Sequence, residues 1–200
     1  MLATAEHIAT LGERMHDLIR ELYPHFRGLT GDGNRATLAK LVEVVPLEVH
    51  EVPTGTQVYD WTVPKEWRFR DAYIKDATGR RIVSAQRLNL HVVNHSQPVR
   101  AVMPWASLRP HLFSDPARPD RVVYRHAFYH EGWGFNLAHE QLERLEREDR
   151  GPYEVCIDAD WIDGAMVYGE LVLPGASREQ VVISAHLCHP SLANDNLSGL

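Results

Sequence analysis

The sequence predicts an α/β protein: a sheet domain interrupted by a small β-rich insertion. Three observations carry that prediction. Near the amino terminus, apolar residues recur at three- and four-residue steps, the spacing of an amphipathic helix. From Gly55 onward, short β-prone runs alternate with turn residues. Finally, the run Val181-Val182-Ile183 delivers a histidine at its end, as buried parallel strands deliver side chains to the carboxyl edge of a sheet.

The first helix is predicted through Ile8, Leu11, Met15, Leu18, Ile19 and Leu22, and Pro24 ends it. Gly28, Gly31 and Gly33 fill the connection. Asn34 is placed to cap a second helix carrying Leu38, Leu41, Val42 and Val45, which Pro46 stops. Residues 47–52 then alternate apolar with polar, as in a half-buried strand. The β-rich insertion is read over 54–130, after a first domain part at 1–53. Its strand candidates are Asp71-Ala72-Tyr73-Ile74, Arg81-Ile82-Val83, residues 88–93 and Val122-Val123-Tyr124, with a hairpin-like connection at 76–79. Pro104, Pro110, Pro116 and Pro119 leave 104–120 poor in regular structure. Trp61, Trp67, Trp105 and Trp133 lie in or at the edge of this section. They suit either a small core or a sugar or peptide pocket, and aromatic area favours the core. Lys65 and Glu66 read as a solvated pair.

Residues 131–200 return to the sheet domain. A charged helix over 139–147 buries Leu142 and Leu145. Two antiparallel strands, 153–159 and 164–173, flank a turn at 160–163, and Pro174-Gly175 redirects the chain. A continuous buried strand is expected at 180–185, then a new helix beginning at Asp195.

Composition excludes several classes. With 21 Lys and Arg against 27 Asp and Glu, the net charge is −6, which argues against a broad nucleic-acid surface. Glu6, Glu13, Arg14 and Asp17 interrupt any export signal. No stretch approaches the roughly 18 apolar residues of a membrane span. A cytoplasmic protein is the default expectation, with Cys156 and Cys188 as reduced thiols.

The chemistry concentrates at the carboxyl end. His186 follows the predicted strand and Asp195 lies nine residues later, among Asn, Ser and Gly. Imidazole and carboxylate at successive sheet-edge loops suit zinc. Asp195 would alternatively cap the last helix, with Ser198 three residues on, and His186 would alternatively be a packed polar residue. Asp158, Asp160, Asp163 and Glu170 form an acidic group better read as turn residues. Nothing in the sequence fixes whether His126, His130 and His139 meet.

Ala185-His186 followed by Ala193-Asn194-Asp195-Asn196-Leu197-Ser198-Gly199 resembles the first two ligand segments of co-catalytic zinc aminopeptidases, which include the glutamate-carboxypeptidase-like exopeptidases. The longer wording from His186 to Gly199 is similar to one branch, bacterial aminopeptidase-like proteins with an inserted β-rich domain of unknown function. The segment from Tyr59 to Trp67 resembles the opening of that insert, and Trp133-Gly134-Phe135 its return.

The resemblance implies a zinc-exopeptidase-like sheet domain, present in part, and an aminopeptidase-like hydrolase of peptide or related amide bonds. It implies zinc, one or two ions, held by His186 and by Asp195 as bridging carboxylate, with two such ions roughly 3.5–4 Å apart. The superfamily places Asp two residues after the ligand histidine, where this chain has Cys188. Cys188 reads as a small buried hydrophobe or a thiolate ligand. His189, held extended by Pro190, reads as a ligand, a substrate contact or a loop residue. Family members are much longer, so an amino-terminal fragment is expected, inactive alone, with its general base and other ligands beyond residue 200. An amidohydrolase acting on an amino sugar or cell-surface precursor, and a non-catalytic binding protein of the same fold, are the competing readings. A peptide or amide small molecule is the expected partner, and a homo-oligomer is left open.

Overall fold

The structure, a computed structural model, describes residues 5–200, with side chains from Thr10 onward. It is a mixed α/β chain with several sheets and few helices. In chain order the elements are α1 (Ala5–Leu22), α2 (Asp32–Val44), β1 (Glu48–Pro53), β2 (Gln57–Val58), β3 (Trp61–Thr62), β4 (Glu66–Lys75), β5 (Arg81–Ser84), β6 (Val99–Met103), the single turn α3 (Trp105–Leu108), β7 (Leu112–Phe113), β8 (Phe135–Asn136), α4 (His139–Glu148), β9 (Tyr153–Ile162) and β10 (Ala165–Glu170). Two compact units result: the chain up to Val63 together with Ala165–Leu200, and Pro64–Gly164.

In the first unit, Leu18, Ile19 and Leu22 of α1 meet Leu38 and Leu41 of α2 and Val167 of β10. Burying one such leucine contributes about 1.5–3 kcal/mol. The predicted apolar face of α1 is thus covered only towards its end. Leu11 and Met15 stay exposed, and the side chain of Ile8 lies outside the described residues. Asn34 is not the cap of α2, which starts earlier with Gly31 in that place. Its amide instead exchanges two hydrogen bonds with Gly28, at 3.0 and 2.8 Å. Gly33 has no room for a side chain, since a Cβ would fall 2.0 Å from the Phe26 carbonyl oxygen. β1 pairs antiparallel with β10, from Glu48 opposite Glu170 to Pro53 opposite Ala165.

The expected buried strand at 180–185 is not formed. The chain there is extended without a ladder, and Val181, Val182 and Ile183 are 92, 84 and 91% exposed. A parallel strand of that kind needs neighbours on both edges and helices on both faces, and no described strand lies beside it. The expected helix at Asp195 is a single 3-10 turn, Leu197–Gly199. Leu187 and Leu197 nevertheless return to the core of α1 and α2.

The second unit is built on an antiparallel sheet in the order β5-β4-β9-β6. Ala72, Ile74, Val83, Val155, Ile157 and Ala159 are buried on it. The two strands read as flanking a turn at 160–163 do not pair with each other. β9 runs between β4 and β6, while β10 belongs to β1. Asp158 and Asp160 accordingly sit on a strand rather than in a turn. The register shifts between Phe69 and Asp71, and the bulged residue between them, Arg70, reaches both aspartates. That guanidinium holds both carboxyls below their ordinary range. Residues 88–93 carry a 3-10 turn instead of a strand, and 122–124 are irregular. Glu66 is buried rather than solvated, while Lys65 pairs with Asp163 at 3.7 Å. Trp67 is core, its Nε1–H donating to the Ser96 carbonyl at 3.0 Å. His95 stacks on Trp67 with centroids 5.0 Å apart, and burial pulls its pKa down to about 3. No described helix is long and apolar enough to cross a membrane.

Candidate metal centre

The segment from Leu187 to Leu197 is held at both ends and in the middle. Leu187 and Leu197 are apolar anchors in the first unit's core. Between them, the Ser191 hydroxyl donates to the Tyr23 carbonyl at 3.1 Å. Arg27, 1% exposed, donates its Nε–H to the His189 carbonyl at 3.0 Å and an Nη1 hydrogen to the Leu22 carbonyl at 2.5 Å. Burial lowers the Arg27 pKa to about 10, so the group stays charged at neutral pH.

This bracing brings four predicted residues together. His186 Nε2 lies 2.5 Å from Asp195 Oδ1, and His189 Nε2 lies 3.5 Å from Asp195 Oδ2. One carboxylate therefore turns an oxygen to each of two imidazoles. The two rings are perpendicular, with centroids 5.5 Å apart. Cys188 Sγ is 3.7 Å from His189 Nε2, and one ligand atom from each of His186, Cys188 and His189 falls within 4.8 Å of the others. His186 and Asp195 are 55 and 46% exposed while His189 is 15% exposed, so the cluster opens to solvent on the His186 side. Burial pushes the Cys188 thiol up, with the Asp195 charge acting the same way and Arg27 opposing. Both cysteines are free thiols.

Sequence reasoning passed over Arg27. The available signal was a lone arginine inside a Pro- and Gly-rich connection, but its partner is 162 residues away. Of the other histidines, His126 and His130 line one cleft with Tyr124, Arg125 and Trp133. His139 instead shares a 2.9 Å hydrogen bond with the Ser114 hydroxyl.

A family model described as "Domain of unknown function (DUF4910)" matches residues 16–200. A curated protein of Clostridium acetobutylicum, "Putative polysaccharide biosynthesis protein with aminopeptidase-like domain", is 41% identical over 189 residues, covering 94% of this chain and 43% of its own. A crystal structure of a "putative peptidase" from the same species is 40% identical with a TM-score of 0.91, covering 95% of this chain and 44% of that one. The chain thus spans less than half the length of these relatives.

Proposed function

The chain belongs to the DUF4910 family, and from that premise we propose that it forms part of a zinc-dependent, aminopeptidase-like hydrolase of peptide or related amide bonds. The aminopeptidase-like and peptidase names of its relatives support the reaction class. The observation that carries the reading is the convergence of His186, His189 and Asp195, one carboxylate oxygen facing each imidazole.

The donor set fits zinc, which favours imidazole nitrogen, thiolate sulfur and carboxylate oxygen. His186 and Asp195 would hold the ion or ions, with His189 as a further donor and Cys188 beside it. Zinc bound there supplies Lewis acidity toward an amide carbonyl. The protein's contribution is placement. Arg27 fixes the backbone at His189, and Leu187 and Leu197 fix the two ends of the ligand segment. The carboxylate of Asp195 faces His186 Nε2 at 2.5 Å, which sets the two proposed donor groups side by side. The general base is not assigned to a residue of this chain.

Elemental analysis of the whole purified protein, of which this chain is proposed to form part, tests the reading. We expect stoichiometric zinc in the wild type and its loss in Asp195→Ala; wild-type zinc in that variant would overturn the assignment. A second reading, hydrolysis of an amide on an amino sugar or cell-surface precursor, is favoured by the polysaccharide-biosynthesis name of the curated relative. Release of acetate from N-acetylated amino sugars, against release of amino acids from dipeptides, separates the two.

A further inference from the structure

Within Pro64–Gly164, residues around β5 and along α4 border an open cleft of about 400 Å³ lined by Arg80, Arg81, Arg87, Arg144 and Arg150, with Glu148 the one carboxylate in its lining. Three of these guanidiniums have acidic partners: Arg80 with Asp76 at 3.5 Å, Arg81 with Asp71 at 2.9 Å and Arg150 with Glu148 at 3.1 Å. Arg87 and Arg144 have no carboxylate partner among the described residues. In a chain of net charge −6, this concentration of positive charge needs a reason, because like charges at one cleft repel. Arg144 lies midway along α4, before its last turn, so the helix carbonyls that favour a cation do not account for it. Arg87 is on a loop and gains nothing from them.

The walls are tied to one another. The Asp76 carboxylate accepts the backbone N–H groups of Thr78 and Arg80 at 3.0 and 3.2 Å. The Ala77 N–H donates to the Arg150 carbonyl at 3.0 Å, and Gln141 of α4 donates to the Ile82 carbonyl at 3.1 Å. The arginines are therefore carried on a fixed frame.

We propose that this cleft binds a small phosphate-bearing ligand. Guanidinium forks match phosphate oxygens two at a time, and the two unpaired arginines supply the charge that such a group would neutralise. Ile82 and Leu145 in the lining give an apolar floor for the rest of the molecule. No aromatic ring lines the cleft, so it offers no platform for stacked bases. Its bounded volume suits a phosphate or pyrophosphate ester rather than a nucleic-acid strand.

Calorimetric titration of the full chain at low ionic strength tests this, with sodium pyrophosphate, inorganic phosphate and a DNA duplex as separate probes. Saturable pyrophosphate binding is expected, weakened by about tenfold or more in the double variant Arg87→Gln/Arg144→Gln. Each single variant should show part of that loss, while Arg121→Gln, exposed and outside the cleft, should bind as the wild type does. Tighter binding of pyrophosphate than of phosphate assigns a diphosphate, and equal binding a monoester; either supports the proposal. It is overturned by absence of saturable binding to either anion, by binding unchanged in the double variant, by equal weakening in Arg121→Gln, or by binding of DNA alone.

Discussion

Arg27 is among the largest fully buried side chains of the chain, and its two donor groups join the end of α1 to the candidate ligand segment. Lysine keeps the charge but loses the planar fork. Arg27→Lys should therefore cost about 2–3 kcal/mol in urea denaturation and should weaken zinc binding without changing any proposed ligand. A cost below about 0.5 kcal/mol would place the guanidinium outside the frame of the site. His95 makes a second prediction. Its folded pKa of about 3, against an ordinary 6.5, means that the folded protein binds fewer protons than the unfolded chain between those values. Stability is then complete above about pH 6.5 and is lost as the pH falls towards 3. The backbone at His95 is left-handed, φ 63°, which asparagine tolerates. Wild type should lose about 2 kcal/mol more than His95→Asn between pH 7 and 4.5; parallel curves would contradict the buried neutral imidazole. His186 and Asp195 were legible as a pair because residue type, spacing and the surrounding Asn, Ser and Gly all appear in the sequence. The part played by Arg27 was not, since nothing local marks a partner so distant along the chain.

Among the elements, β9 is an inner strand of its sheet and the run at 181–183 is bare, although both are apolar and rich in β-formers. Ile157→Ala should cost about 2–5 kcal/mol, because it leaves a cavity between paired neighbours. Val182→Thr should change the stability of the chain by less than about 0.5 kcal/mol. Equal costs in denaturant titrations would mean that the exposed run is packed. Periodicity located α1, α2, β1, the second half of β4 and α4, because the apolar spacing of each matches the period of its element. It misread 180–185, since an apolar run of that length looks the same whether ladders flank it or not. The partners of β9 and β10 were equally hidden, because strand adjacency in sequence does not fix adjacency in a sheet.

At the scale of the whole molecule, the stretch between β10 and the ligand segment has no ladder and exposes nearly every side chain. Arg178 lies in it and is exposed. Brief trypsin treatment should cut first after Arg178, with mass spectrometry showing a product ending there; first cuts within β4 or β9 would mean that the sheet, not this stretch, opens most readily. The pairing of β1 with β10 has a different consequence, in time. Val52 lies opposite Met166, and the whole of Pro64–Gly164 must be synthesised between them. Closing so long a loop adds little free-energy cost, since the cost grows only logarithmically with length. It does impose a wait. At roughly 5–20 residues per second on the ribosome, β1 stays without its partner for on the order of ten seconds. During that interval it is an open edge, and Glu48, His50 and Glu51 on this strand make it a poor template for other nascent chains.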